Sequence, residues 1–205
     1  MTALDLFAEG LRERIGRPAY VRPFVCEGSP LECGAFIVGS NPATALSLDY
    51  WSFWESGYGF RRGAWAEASR AQRRDAGKAE VTPTRRMLGR IIAEAAPVRC
   101  LDTNVFSTPT PAERDLAPEL RRTEVFDFVL DAVRPAALLA HGKEAAGHLR
   151  RLLGAERLPA ERFEPVATPW GRMRVMAVRH LSRGWSYAQA DVLGRALREA
   201  AQQPD

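Results

Sequence analysis

Four polar side chains follow the apolar stretches of this sequence at similar places. Asn41 comes just after the apolar run at residues 35–38, between Gly39 and Pro42, which fix the local backbone. Asn104, His141 and His180 end later apolar stretches, in the last case with a short polar run following. An amide both donates and accepts hydrogen bonds, and an imidazole exchanges protons near neutral pH. Together these groups can bind a ligand and act on it.

The elements that must position these side chains alternate regularly along the chain. Apolar runs at residues 35–38, 98–106, 135–141 and 172–178 predict four buried strands. Helical spacing of apolar residues predicts helices at residues 4–15, 82–96, 125–132, 144–153 and 187–202. This alternation predicts an α/β fold with three α/β/α layers around a central four-stranded parallel sheet. Because parallel strands end at one edge, the four polar groups should gather there.

Composition limits the classes of protein that fit. The 205 residues, 46% hydrophobic and 26% charged, predict one globular domain over residues 1–205. There is no apolar run long enough for a membrane span, and the first residues do not read as a secretory signal. Three widely spaced cysteines, Cys26, Cys33 and Cys100, suit reduced thiols and a cytoplasmic location. They form no zinc or iron–sulfur pattern, so we expect no metal and no cofactor.

Positive charge and aromatic residues are both distributed unevenly. Lysine and arginine exceed aspartate and glutamate by 29 − 25 = 4, and only Lys78 and Lys143 are lysines. Arginine suits phosphate, so the balance is compatible with a nucleic-acid partner. Residues 48–62 hold six aromatics, which either pack in the core or include one or two that line a slot for a planar ring. The arginine-rich segment at residues 61–78 is predicted to be helical.

Five short motifs occur along the chain in this order: Gly39-Ser40-Asn41-Pro42, Phe53-Trp54, Thr103-Asn104-Val105, Gly142 and His180-Leu181-Ser182. In this combination they resemble the uracil-DNA glycosylase superfamily. The similarity is greatest to the mismatch-specific uracil and thymine glycosylases, which carry Asn in the first motif. Two features depart from the family pattern: Leu181 stands where the family has a proline, and Arg183-Gly184-Trp185 replaces the usual wedge sequence. The Asp of the most active branch of the superfamily is also absent, because position 41 holds Asn.

The resemblance implies roles in cleaving the bond between a base and its sugar. It implies that Asn41 holds the attacking water, and that His180 donates a hydrogen bond to the departing base. Asn104 would read the edge of the base. The base would stack on one of the aromatic residues Tyr50, Trp51 and Phe53. His141 is interpreted as structural.

The resemblance also implies DNA as the partner, either single- or double-stranded and containing an altered base. Ser40, Ser107 and Ser182 would contact the phosphates beside a nucleotide flipped out of the helix. Arg183 and Trp185 would fill the space that this nucleotide leaves. We expect the protein to act as a monomer.

Three functions therefore follow from the sequence. The first is a glycosylase that removes uracil or a related altered base from DNA. The second is a module of the same fold that binds nucleic acid or nucleotides but has little or no activity, because its second motif is altered. The third is a small-molecule hydrolase of doubly wound α/β fold. Against this third function, the sequence contains neither a Gly-x-Ser-x-Gly elbow nor a P-loop.

Overall fold

A computed structural model describes residues 1–203 of the chain, and within them it contains six α-helices and nine strands. The helices are α1 (Ala3–Ile15), α2 (Arg62–Asp75), α3 (Pro83–Ala95), α4 (Glu124–Val133), α5 (Lys143–Leu152) and α6 (Tyr187–Gln202). The strands are β1 (Phe24–Val25), β2 (Glu27–Gly28), β3 (Ala35–Gly39), β4 (Trp54–Glu55), β5 (Gly59–Arg61), β6 (Cys100–Asn104), β7 (Ala137–His141), β8 (Glu164–Thr168) and β9 (Gly171–Val178).

The strands form a mostly parallel central sheet flanked by helices, so the α/β class is confirmed. The prediction of four strands is wrong, because the sheet has six, in the order β1-β6-β3-β7-β9-β8. The four predicted strands are β3, β6, β7 and β9. The sequence signal missed β1 because it is only two residues long, and β8 because its residues alternate between partly buried and exposed. A separate small sheet has the order β2-β5-β4.

The described residues divide into two compact units, each made of three chain segments. The first unit contains Met1–Glu32, Asn41–Val81 and Thr103–Val133. The second contains Cys33–Ser40, Thr82–Asp102 and, up to the end of the described chain, residues 134–203. The single domain expected from chain length stays a prediction.

The second unit is built on strands that are parallel and fully buried. All five residues of β3 and all five of β7 are buried, and the two strands pair from Ala35 with Ala137 to Val38 with Ala140. On its other side β7 pairs in parallel with β9, so that His141 lies opposite Val178. The carboxyl ends of β3, β7 and β9 therefore lie at one edge of the sheet.

Helices α3 and α6 pack tightly together in this unit. Gly194 of α6 permits the close approach, because a Cβ atom there would lie 2.5 Å from the Ile91 carbonyl oxygen of α3. Apolar side chains of both helices, including Ile91 and Leu197, join Ile37 and Leu139 of the sheet in one core cluster. Packing of this density fixes the sheet against its helices.

The order of the strands reverses at β3. Numbered along the chain, β3, β6, β7 and β9 lie in the order 2-1-3-4, with β6 on one side of β3 and β7 on the other. Connections that leave a parallel strand in opposite directions create a crevice at its carboxyl end, where α/β proteins bind ligands. In this chain that position is occupied by Gly39 and Ser40.

Aromatic residues form the core of the first unit. Tyr50 stacks on Phe60 with ring centroids 5.1 Å apart, and both contact Phe24 edge-on. The Trp51 indole Nε1 donates a hydrogen bond of 2.8 Å to the Gly16 carbonyl oxygen. These contacts place Tyr50, Trp51 and Phe60 in the core, whereas Tyr58 of the same aromatic-rich segment is 43% exposed. The segment folds as a 3-10 turn and a short hairpin, and helix α2 follows it.

An ion pair in the second unit is nearly enclosed by protein. Asp102 of β6 is 3% exposed and accepts a hydrogen bond from the guanidinium of Arg85 in α3. A carboxylate so deeply buried depends on its partner to offset the loss of water. The pair therefore ties α3 to the sheet.

Replacing Arg85 with alanine should destabilise the protein by about 3 kcal/mol, because it leaves the Asp102 carboxylate buried without its cation. The free energy of unfolding in urea measures this loss. The matched control is Arg195→Ala, which breaks the more exposed Arg195–Glu94 pair and should cost about 0–1 kcal/mol. Equal losses in the two variants would contradict a special role for the buried pair.

Candidate functional site

The side chain of Asn41 is held by a chain of hydrogen bonds in the first unit. Its Nδ2 lies 2.7 Å from the Thr110 hydroxyl oxygen, and the Thr110 hydroxyl lies 2.8 Å from the Ala112 carbonyl oxygen. A carbonyl oxygen only accepts, so the hydroxyl proton of Thr110 goes to Ala112. The hydroxyl oxygen must then accept from Asn41, which fixes the direction of the amide.

This arrangement leaves the amide oxygen of Asn41 as an available acceptor. Its Nδ2 also lies 3.4 Å from the carbonyl oxygens of Pro42 and Thr110, so acceptors surround the nitrogen. Within residues 1–203, no hydrogen bond to Oδ1 accompanies these contacts. Asn41 is half-buried, and its oxygen is a fixed acceptor for a water or a ligand.

Asn104 ends β6 and is 5% exposed. In the amide orientation that satisfies both of its ends, Nδ2 donates to the Asn41 backbone oxygen at 3.3 Å, and Oδ1 accepts from Arg22 Nη2 at 2.9 Å. Both ends of the amide thus bind protein groups. Asn104 supports the backbone of the Asn41 loop, and reading a base with this amide would require it to exchange these bonds.

The predicted stacking residues lie in the aromatic core of the first unit. Tyr50, Trp51 and Phe53 are only 4–6% exposed. The guanidinium of Arg12 lies over the Trp51 ring, with Cζ 4.8 Å from its centroid. Burial raises the pKa of the Tyr50 hydroxyl well above its ordinary range, with the nearby Cys26 adding to the shift. Tyr50 is therefore neutral at physiological pH.

His180 follows β9 in the second unit, and its side chain is exposed. The backbone N–H of Ser182 donates to His180 Nδ1 at 3.2 Å, and the Ser182 hydroxyl lies 2.7 Å from the same atom. A nitrogen that accepts from a backbone N–H carries no proton itself. The neutral imidazole therefore holds its proton on Nε2, which makes Nε2 a hydrogen-bond donor.

Gly142 leaves room for the His180 ring. It has φ of +93°, and a Cβ atom at this position would lie 3.2 Å from His180 Cδ2. Its N–H donates to the Val178 carbonyl oxygen at 2.9 Å, which links the end of β7 to the end of β9. The buried ring of His141 meets His180 edge-on at a centroid distance of 5.1 Å. These neighbours fix the position of the His180 ring.

The segment after His180 has an exposed tip and a half-buried aromatic residue. Arg183 is exposed, whereas Trp185 packs against the core of the second unit. The Arg179 guanidinium lies over the Trp185 ring, 5.1 Å from its centroid, and donates a hydrogen bond to the Gly184 carbonyl oxygen. Of the two residues predicted to enter a base stack, Arg183 has the more accessible side chain.

The three serines predicted to contact phosphates differ in their environments. Ser182 is exposed, while Ser107 is only 9% exposed. Ser40 is half-buried, and its hydroxyl oxygen is buried with no hydrogen-bond partner among residues 1–203. Ser40 and Ser182 both lie in the second unit, and Ser107 lies in the first.

The structure thus joins the predicted residues in two sets. Asn41 and Asn104 share hydrogen bonds in the first unit, and His180 and Ser182 share them in the second. Thr110 and Arg22, which hold the Asn41 loop, were not predicted from the sequence. A threonine between Pro109 and Pro111 was a visible signal of a fixed hydroxyl, but nothing near Arg22 indicated its role. The described part of the chain contains no cluster of His, Cys, Asp or Glu suited to a metal ion.

Replacing Gly142 with alanine should displace the His180 ring and destabilise the fold by about 1 kcal/mol, since an L side chain is strained at this φ. Urea unfolding measures the stability, and the imidazole NMR signals report the ring. Gly147→Ala in α5 is the matched control. Its Cβ would lie 3.8 Å from the Arg151 guanidinium, so stability should stay level or rise. Unchanged His180 signals in Gly142→Ala would contradict the packing argument.

Comparison with known proteins supplies no further indication of family. No family model matches the chain, and no curated protein matches it. Among residues 1–203, no helix has the length and apolar character needed to cross a membrane.

Proposed function

We propose that this protein is a DNA glycosylase that hydrolyses the N-glycosidic bond of uracil or a related altered base. The observation that carries the proposal is the fixed amide of Asn41. Its Nδ2 donates a hydrogen bond to Thr110, which leaves Oδ1 as an acceptor on the loop after β3. The strand order reverses at β3, and α/β proteins bind ligands at such positions. The motif resemblance supplies the reaction.

His180 would stabilise the base as it leaves. Cleavage of the N-glycosidic bond moves the bonding electron pair onto the base, so negative charge builds up on a base carbonyl oxygen. The Nε2–H of His180 would donate to that oxygen, because Nδ1 accepts from Ser182. A donor placed where charge develops lowers the barrier more than it stabilises the ground state.

Asn41 would orient the water that replaces the base. Its Oδ1 accepts a hydrogen bond from this water, whose oxygen then forms the new bond to the sugar carbon. The products are the free base and an abasic sugar. An amide does not take up a proton as a carboxylate does, so the water loses its proton to solvent. We infer slow turnover, or a base that leaves easily.

DNA binding would use the exposed residues around His180. Arg183 would enter the space that the flipped nucleotide leaves in the base stack, and Trp185 would pack beside it. Ser182, Ser107 and the backbone N–H groups of the Ser40 loop would contact phosphates. The net charge of +4, carried mostly by arginine, favours this partner. We propose that the protein acts on DNA as a monomer in the cytoplasm.

A binding module without activity is the second candidate, favoured by a specific observation. Tyr50, Trp51, Phe53 and the amide of Asn104 are all buried and engaged with protein groups. A base contact by any of them requires a buried group to become accessible. A protein with this arrangement binds DNA through its exposed residues without reading a base.

The glycosylase proposal predicts cleavage of oligonucleotides that carry uracil, mismatched uracil or hypoxanthine. Alkali converts each abasic product into a strand break. His180→Ala should lower the rate about 100-fold or more because a donor to the departing base is lost. Asn41→Ala should lower it about 100-fold because the water loses its acceptor.

His148→Ala is the control, since His148 lies in α5 and is absent from the proposed mechanism. Its rate should match the wild-type rate. DNA binding that weakens with salt while every base stays intact would favour the binding module over the enzyme. No cleavage and no binding would favour the small-molecule hydrolase.

Arg183→Ala should lower the cleavage rate on duplex DNA more than the rate on single-stranded DNA. Filling the vacated stack matters only in a duplex, so the rate on duplex DNA should fall about tenfold, while the rate on a single strand changes little. The matched control is Arg157→Ala, which removes an exposed arginine that has no role in the proposed mechanism and should affect both substrates equally. Equal losses on both substrates in Arg183→Ala would indicate a phosphate contact instead.

A further inference from the structure

The side chain of Thr110 has a hydroxyl group whose single proton is already in use. The hydroxyl oxygen lies 2.8 Å from the Ala112 carbonyl oxygen, which can only accept a hydrogen bond. If the Asn41 amide were inverted, its Oδ1 would stand where Nδ2 now lies, 2.7 Å from the same hydroxyl oxygen. One proton cannot form a full hydrogen bond to both oxygens. The inverted amide would therefore place two oxygens together without a proton between them.

Thr110 is held in place by its backbone as well as by this hydroxyl. Its N–H donates to the Pro42 carbonyl oxygen at 2.9 Å, which ties the residue to the loop that carries Asn41. Pro109 and Pro111 stand on either side of it. A proline fixes its own φ and restricts the residue before it, so the segment has few other conformations. The hydroxyl is thus fixed with respect to the Asn41 amide.

The direction of the Asn41 amide decides which part of a water molecule it binds. Oδ1 accepts a proton of the water, which leaves the lone pairs of the water oxygen free to attack the sugar carbon. The amide N–H group would instead donate to the water oxygen and occupy one of the lone pairs that the attack requires. Only one of the two amide directions therefore assists the hydrolysis.

We propose that Thr110 is a positioning residue for the reaction, because it keeps Oδ1 of Asn41 directed toward the attacking water. This inference rests on the proposed glycosylase function, but the orientation itself can be measured without activity. The carbonyl oxygens of Pro42 and Thr110, each 3.4 Å from Nδ2, favour the same direction more weakly. Loss of the Thr110 hydroxyl should therefore cost only part of the activity that loss of the Asn41 amide costs.

An aspartate at position 41 would not need such a partner. The two oxygens of a carboxylate are equivalent, so an acceptor faces the water in either direction. The hydroxyl of Thr110 should therefore affect the rate strongly in the wild type and weakly in Asn41→Asp. If Thr110 served the fold alone, its loss would affect both backgrounds equally.

The first test measures single-turnover cleavage of the uracil-containing oligonucleotides with the protein in excess. Thr110→Val keeps the shape of the side chain and removes the hydroxyl, so the rate at saturating protein should fall about tenfold. The protein concentration that gives half of this rate should change less than about twofold, because the hydroxyl has no part in DNA binding. Should Thr110→Val fail to fold, Thr110→Ala removes the same hydroxyl with a smaller side chain.

Two variants serve as controls for Thr110→Val. Thr110→Ser keeps the hydroxyl, and its rate should stay within about threefold of the wild-type rate. Thr108→Val changes a half-buried threonine that also precedes a proline but does not bond Asn41, and its rate should equal the wild-type rate. A loss in Thr110→Ser as large as in Thr110→Val would overturn the proposal, because the hydroxyl would not be the group that matters.

The same substitution is then made beside aspartate. In Asn41→Asp, measured at about pH 8 so that the carboxylate is ionised, adding Thr110→Val should lower the rate less than about threefold. A tenfold loss in both backgrounds would assign Thr110 a purely structural role and would also overturn the proposal.

The second test needs no activity. The side-chain NH₂ group of Asn41 gives a pair of NMR signals, which Asn41→Ala identifies by their loss. In Thr110→Val these signals should shift because the nearest acceptor is gone, whereas Thr110→Ser and Thr108→Val should leave them in place. Signals that do not move in Thr110→Val would show that Thr110 does not orient the amide. Shifted signals in a protein that leaves every base intact would refute the glycosylase and keep Thr110 as the residue that orients Asn41.

Discussion

Burial of the central strands on both faces is the constraint on which the rest of the structure depends. Every residue of β3 and β7 is buried, so helices must cover the sheet on both sides. Crossover connections then return each strand in the same direction, and the carboxyl ends meet at one edge. Ser40 and His180 follow those ends, and His141 is the last residue of β7. These polar side chains are thus brought to one edge by the burial of apolar residues.

The orientation of the Asn41 and His180 side chains is set by neighbouring groups that have no direct role in the proposed reaction. Thr110 turns the amide of Asn41, and the backbone of Ser182 decides which nitrogen of His180 holds the proton. Asn104 and Arg22 hold the backbone of the Asn41 loop in place. When a hydrogen bond to a neighbour fixes one end of a polar side chain, the other end points in a defined direction. Such a side chain needs to reorient little in order to bind a ligand.

The sequence predicted the large elements well because their signals are local. Periodic apolar residues located the helices, and the Thr82–Pro83 start of α3 is an N-cap followed by proline. Strand β8 and the small sheet were missed because short, half-exposed strands are defined by their pairing partners. The same limit applies to the site. Asn41 and His180 were predicted from their positions after apolar stretches, whereas the hydrogen bond between Asn104 and Arg22 joins residues distant in sequence, which no local pattern indicates.

The hairpin of β8 and β9 also determines how the central sheet ends. Strand β8 pairs antiparallel with β9 and forms the last strand on its side. It contains Pro165, which has no N–H to offer, next to the charged Glu164. Proline and charge on an edge strand discourage pairing with another chain. Strand β8, which the sequence did not predict, therefore disfavours the addition of strands from neighbouring molecules to this edge of the sheet.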